Sequence, residues 1–241
     1  MAGESAGTEA RQRTGALAER LLAVATRLFA EKGFEATSVQ EIVESAGVTK
    51  GAMYHYFASK DDLLFEIYHR LLMMQTRRLE QFADSKGTVG ERLRAAAVDV
   101  LDTSFLHLDE LTVFFRSMHM LPQEKRKTVR AERRRYHERF RALVEEGQAA
   151  GIFRRDVPAD IVVQFFFGAV HQLSTWYRPN GQLAAHEVSE YYVDLLMGGL
   201  EVPRPAGDAN TDTDTNADTD AKADAEAEAK ADADAEAERA S

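Results

Sequence analysis

At 241 residues and without a cysteine, the chain can hold a small domain plus a medium one, but no disulfide, thiolate metal site or cysteine nucleophile. Its formal charge of −10 is uneven: residues 201–241 carry 13 acidic and 4 basic side chains, leaving 27 acidic and 26 basic in a nearly neutral body. No apolar stretch approaches the ~18 residues of a membrane span and no basic-then-apolar leader opens the chain, so a cytoplasmic protein without membrane contact is expected.

Residues 1–13 read as a flexible leader whose Arg11 and Arg13 either touch DNA or are simply solvated. A first helix is expected from about Thr14 to Lys32, with Leu17, Leu21, Val24, Leu28 and Phe29 on one face and Gly33 closing it. The run TSVQEIVESAGVTKGAMYHYF over 37–57 then reads as two short helices joined by a tight turn. Ser38 and Glu41 make an S-x-x-E capping box, and Val39, Ile42, Val43 and Ala46 recur at helical spacing. Gly47 occupies the turn, where positive φ excludes most side chains. Thr49 is the N-cap of a second helix carrying Lys50, Tyr54 and His55. That is the layout of a helix-turn-helix, which lays its second helix in the DNA major groove. Ser59 caps a fourth helix with Asp61 and Asp62 in its first turn and Leu63, Leu64, Ile67, Leu71 and Met74 inward, ending near Phe82.

Side chains that reach base edges specify sequence, whereas phosphate contacts only position the protein. The candidate DNA contacts are Thr37, Ser38, Thr49, Lys50, Gly51, Tyr54, His55 and Lys60. Lys50 can reach a guanine edge or a phosphate, Gly51 lets the backbone approach, Tyr54 suits a phosphate and His55 a base edge. Thr37, Ser38 and Lys60 sit at helix starts, where backbone amides favour phosphate. Val48, Met53, Tyr56 and Phe57 are expected in the core.

The segment GVTKGAMYHYF followed by ASKDDLL resembles the DNA-binding signature of the TetR/AcrR regulators, and the match runs from 14 to about 72. Val43 departs from it, standing where the family more often has alanine. The resemblance implies an all-helical homodimer whose separate ligand-binding domain controls DNA affinity, and it supports contact roles for Lys50, Tyr54 and Lys60.

Further helices are expected near Val89–His107, Asp109–Met120, Gln123–Ala150, Ala159–Tyr177 and His186–Leu200, separated by Gly87, Pro122, Gly151, Pro158 and the Arg178–Gly181 turn. No segment alternates with period two, so no sheet is expected. Phe105, Phe115, Met118, His119, His137, Phe140, Phe167 and His171 are the candidate ligand contacts, the alternative for each being ordinary core. The segment WYRPNG, with the residues after it as far as Gly199, resembles the C-terminal part of TetR-type regulators of fatty-acid and steroid breakdown, which implies an acyl-CoA inducer. Its phosphates would suit some of Arg116, Arg126, Arg130, Arg133, Arg134 and Arg135; otherwise that run is a solvated helix face.

The last two helices offer Ile161, Phe165, Ala169, Leu173, Tyr192, Leu195 and Leu196 for a four-helix dimer interface. No metal-ligand spacing, nucleophile motif or phosphate-cradling loop suggests an enzyme or a cofactor. From about Val202 the Thr-Asp and Ala-Asp/Glu repeats read as a disordered acidic tail, either solubilising or competing with DNA for basic residues.

The expectation is thus an all-α protein: a three-helix helix-turn-helix domain over 14–72, a helical ligand-binding and dimerisation domain over 73–200, and the tail over 201–241. It would be a homodimeric repressor of a near-palindromic double-stranded operator, released by a small-molecule inducer such as an acyl-CoA or another amphipathic compound. The rival reading is a DNA-binding regulator without a ligand, controlled by protein partners.

Overall fold

A computed structural model describes residues 2–202, with side chains from Gly15 onward. Among the described residues there are nine α-helices and no strand: α1 (Ala2–Lys32), α2 (Val39–Ser45), α3 (Lys50–Tyr56), α4 (Lys60–Ala83), α5 (Val89–Leu106), α6 (Leu108–Ser117), α7 (Gln123–Ala149), α8 (Ala159–Trp176) and α9 (Ala185–Leu200). A short 3-10 turn, Met118–Met120, follows α6. The expected elements are present to within a residue or two, with two corrections: the helix expected to reach Met120 ends at Ser117, its last three residues forming the 3-10 turn, and α1 begins earlier than expected. From Ala2 the segment read as a leader is already helix, so α1 starts well before Thr14. The acidic repeats lie outside the described residues.

Local chemistry sets the DNA-side elements. Ser38 Oγ accepts the Glu41 amide at 3.2 Å while the Glu41 carboxylate accepts the Ser38 amide at 2.8 Å, so two orphan donors of α2 are satisfied reciprocally. The backbone amide of Ser38, then the Lys32 ammonium, hold the Glu41 carboxyl down at about 2. Gly47 turns the chain at φ +63°, and Thr49 Oγ1 caps α3 by accepting the Ala52 amide at 3.2 Å. Ile42 and Met53 are wholly buried and, with Leu21, Phe29 and Leu63, form the first hydrophobic core.

That core is not confined to the first four helices. Val113 and Phe114 of α6, Leu121 just after the 3-10 turn and Val129 of α7 also belong to it. A second core joins the end of α4 to α5, α7, α8 and α9, around Phe140, Phe166 and Leu93. The expected boundary at 72/73 therefore falls inside one continuous helix, with Leu72 in the first core and Leu79 in the second. Polar pairs link α4 and its C-cap to α7 in two sets: Asp62–Lys125 and His69–Glu132 at 2.7 Å share an offset of 63 residues, and Glu80–Arg135 at 2.9 Å and Asp84–Arg139 an offset of 55. Such pairs are individually weak, but in series they oppose sliding of one helix along the other.

Lys60 holds the α1–α2 connection. Its ammonium donates to the carbonyls of Phe34 at 2.6 Å and Thr37 at 2.9 Å and sits 4.2 Å over the Phe34 ring. Burial lowers its pKa. Lys60→Met leaves two carbonyls without their donor and should cost about 1–3 kcal/mol in a urea melt; an unchanged midpoint would show that water replaces the ammonium at no loss.

Candidate nucleic-acid interface and effector cavity

The outer face of α3 presents Lys50, Gly51, Tyr54 and His55, all exposed, with the Thr49 cap at one end. Tyr54 is 51% exposed, a large area for an aromatic side chain with no packing partner of its own. Ser38 is exposed at the start of α2, so its amide cap and hydroxyl edge the same surface. Two expected contacts are corrected. Thr37 is completely buried, its hydroxyl donating to the carbonyls of Gly33 at 2.8 Å and Leu28 at 3.2 Å. Lys60 is held by the carbonyls described above, so its ammonium serves the fold rather than a phosphate. Met53 and Phe57 are core, as expected.

Between α4, α5, α6, α7 and α8 lies an aromatic cavity that leaves about 30 Å³ for the centres of water molecules, room for one or two. Four of the expected ligand contacts line it: Phe115, His137, Phe167 and His171. The other four do not. Phe140 is wholly buried, stacked on Phe166 at 5.1 Å, and Phe105 packs edge-on against Tyr177 at 4.7 Å. Met118 packs against the first core and His119 faces solvent in the 3-10 turn. Helical spacing puts Phe140 and Phe167 on inward faces alike, and only the packing of α7 on α8 decides which borders a void. Gln75 and Ser104, also lining residues, carried no sequence signal; each is a small polar group on an otherwise apolar face.

The cavity's polar wall is a stack. The His137 ring lies 4.2 Å from Phe167 and 5.9 Å from His171, and Phe115 is 4.5 Å from His171. The Arg133 Nη2 donates to His171 Nδ1 at 3.2 Å, which fixes that ring as the neutral tautomer with its proton on Nε2. Burial, followed by the Arg133 charge, pushes the pKa of His137 down to about 4 and that of His171 to about 3. Arg133 also separates this cavity from an outer groove of about 460 Å³ that it shares, with His137, among Arg130, Arg134 and Arg141.

On the opposite side of α8, Ile161, Phe165 and, on α9, Tyr191 and Leu195 are 57–66% exposed. Exposed Gly168, Gly198 and Gly199 accompany them. Of the expected interface residues, Leu173 and Leu196 are corrected: both are buried in the second core. Ala169 is half-buried, and Tyr192 is half-buried with its ring stacked 6.5 Å from Trp176. No helix among the described residues is long and apolar enough to cross a membrane.

An exposed recognition helix on a small helical lobe, followed by a second helical core, is the arrangement of a helix-turn-helix regulator. The family comparisons agree. Residues 21–67 match the model for bacterial regulatory proteins of the tetR family, and residues 86–200 match a Tetracyclin repressor-like C-terminal domain. The chain belongs to the TetR family. It is 28% identical over 181 residues to the HTH-type transcriptional repressor KstR2 of Mycobacterium tuberculosis, covering 75% of this chain and 90% of that one. The structure of PfmR, a TetR family regulator from Thermus thermophilus, superposes with a TM-score of 0.70 at 31% identity, covering 76% of this chain and 99% of that one. AibR, solved with isovaleryl coenzyme A and operator DNA, shares the fold at a TM-score of 0.67 and 24% identity, over 78% of this chain and 100% of that one.

Because both cavity histidines have folded pKa values below the ordinary histidine value, the unfolded chain holds more protons between pH ~6.5 and ~3. Stability is therefore complete above that window and falls as pH drops through it. A His137→Asn, His171→Asn double variant should lose less of its melting temperature between pH 7 and pH 4 than the parent, followed by circular dichroism. Equal losses would remove the histidines from the acid response.

Proposed function

We propose that the protein is a homodimeric transcriptional repressor that leaves its operator when an amphipathic small molecule, an acyl-CoA thioester, enters the cavity beside α7. The observation that carries this reading is the junction at Arg133 and His137, where an apolar aromatic cavity meets an arginine-rich groove. An acyl chain fits the first environment and nucleotide phosphates fit the second, since guanidinium groups bind phosphate through paired donors. Arg141 is already paired with Asp160 at 3.2 Å and Glu145 at 3.5 Å, and Arg134 more loosely with Glu138 at 4.0 Å, which makes Arg130 the better phosphate donor in the groove. The complex named for AibR supports the choice of ligand class.

In this reading two copies pair through α8 and α9, with Ile161, Phe165, Tyr191 and Leu195 meeting their symmetry mates and Gly168 and Gly198 allowing close approach. The dimer then offers two copies of α3 about 34–36 Å apart, or a multiple of that, to the half-sites of a near-palindrome. Lys50, Tyr54 and His55 make base and phosphate contacts, with Thr49, Gly51 and Ser38 against the backbone. A ligand lowers DNA affinity only to the extent that it binds better to the other spacing of the pair. The cavity must widen to take it, because 30 Å³ does not hold an acyl chain. Phe114 is the element that widening disturbs: it borders the cavity and belongs to the DNA-side core.

The tightness of the cavity also favours a second reading, a DNA-binding regulator whose second domain answers to a protein partner. Fluorescence anisotropy of the full chain on its own promoter separates the two. Release by acyl-CoA at some chain length supports the first; retention at every length, with operator binding intact, transfers the case to the second. Lys50→Ala should weaken operator binding by about 1–3 kcal/mol; binding equal to the parent would remove Lys50 from the interface. Phe165→Asp should shift the sedimenting species from dimer to monomer and abolish high-affinity operator binding, and a dimer that persists would place the subunit contact elsewhere.

A further inference from the structure

We propose that Arg133 is the anchor for an anionic group carried by the effector, and that this group enters together with a proton taken up by the adjacent histidine pair. The inference rests on the ligand-responsive reading above and specifies the chemistry of its site.

Three observations carry it. First, Arg133 is half-buried yet pairs with no carboxylate among the described residues; its contacts are the His171 ring nitrogen and the faces of Phe114 and Phe115, each 5.8 Å from the guanidinium carbon. Its neighbours behave differently: Arg135 and Arg139 pair across to α4, and Glu132 pairs with His69. A desolvated cation without a counter-ion is costly, and burial accordingly lowers its pKa. Such a group is retained cheaply only if something negative joins it.

Second, none of the residues lining the cavity is acidic. Its ionisable groups are Arg133, Tyr136 and His137 from α7 and His171 from α8, while α4 and α5 supply Gln75 and Ser104 and α6 only apolar side chains. The inner wall therefore offers donors and a positive charge; the carboxylates nearby are Asp99, which acts on Tyr136 and is paired with Arg78, and Glu138 and Asp160 in the outer groove. Third, the bond from Arg133 to His171 occupies the ring nitrogen as an acceptor. When an oxyanion takes the guanidinium donors, His171 Nδ1 is released and can bind a solvent proton, becoming a second donor to the same anion. A monoanion that enters with one proton leaves the net charge of the site at +1, as it was with Arg133 alone, but now lies between two cationic donors; a dianionic phosphate entering with one proton brings the site to neutrality. His137, stacked 5.9 Å away, stays neutral because a second positive ring so close to the first is disfavoured.

A carboxylate at the end of an apolar body and a phosphate or thioester-linked nucleotide satisfy this site through the same oxygen chemistry. The test uses the full chain and three probe series of matched chain length: fatty acids, acyl-CoA thioesters and neutral primary alcohols. Calorimetry in two buffers of different ionisation enthalpy counts the protons taken up. The expected result is binding of at least one anionic series, weak or no binding of the alcohols, and affinity that rises up to about tenfold per unit as pH falls from about 8 to about 6. Arg133→Gln should weaken the anionic probe about 10- to 100-fold and abolish the pH dependence, with partial recovery in Arg133→Lys and no change in Lys127→Gln, a cation of the same helix that pairs with Glu124 away from the cavity and the groove. If fatty acids bind this way and acyl-CoA species do not, the anchor reads a carboxylate; the reverse result assigns it to the nucleotide ligand. Alcohols binding as well as acids, Arg133→Gln binding like the parent, zero protons taken up, or no probe binding at millimolar concentration would each overturn the anchor. Operator release is measured separately, so probes held by Arg133 that leave DNA binding unchanged would sink the inducer reading while the site stands.

Discussion

The structure turns on one buried contact, the edge-to-face packing of Tyr68 on Phe114 at 4.9 Å. Tyr68 is wholly buried in α4 and its hydroxyl donates to the Val113 carbonyl at 2.8 Å, tying α4 to α6. Burial raises the phenol pKa beyond any useful range, so the bond is permanent at physiological pH. Phe114 then touches Phe115 at 4.9 Å, and Phe115 touches His171 at 4.5 Å. A contiguous aromatic series thus runs from the core under the recognition helix to the wall of the cavity. Packed interiors shift between discrete arrangements rather than deforming smoothly. A widening of the cavity that moves Phe114 also disturbs its contact with Tyr68 of α4.

The ion pairs between α4 and α7 add a second constraint of a different kind. They lie on the outside of the same helix pair and hold its register, whereas the aromatic series lies inside and holds its separation. Arg133 stands between these two systems: Glu132 before it and Arg135 after it belong to the ion-pair row, while its own side chain faces the cavity. If the cavity takes the ligand proposed above, a helix with one face tied to α4 and the next facing the cavity is the element through which occupancy would reach the DNA side.

The near-neutral body of the chain has a consequence for DNA affinity. Nothing in its bulk charge attracts a polyanion, so in the proposed reading attraction depends on a few local cations such as Lys50, and binding should be correspondingly modest in its dependence on salt. Specific contacts from Tyr54 and His55 would then carry a larger share of recognition than in a strongly basic DNA-binding protein.

Much of this was legible along the chain. Caps, glycine turns and apolar periodicity are local signals, and they located α2 to α9 closely because each depends on residues a few positions apart. The exposed face of α3 was equally readable, since its outward residues follow from helical spacing once Met53 is assigned to the core. Tertiary structure alone decided the rest. Lys60 turned inward because the carbonyls of Phe34 and Thr37, more than twenty residues earlier, lay within hydrogen-bond reach, and Thr37 because the turn after α1 folds its hydroxyl back onto the Gly33 and Leu28 carbonyls. Leu173 and Leu196 proved to be core and Ile161 surface, since a helix that is apolar on several sides does not reveal which side faces its own fold. Among the arginines of α7, only the packing of α4, α6 and α8 around that helix distinguishes the one that lines the cavity without a counter-charge from those that reach α4 or solvent.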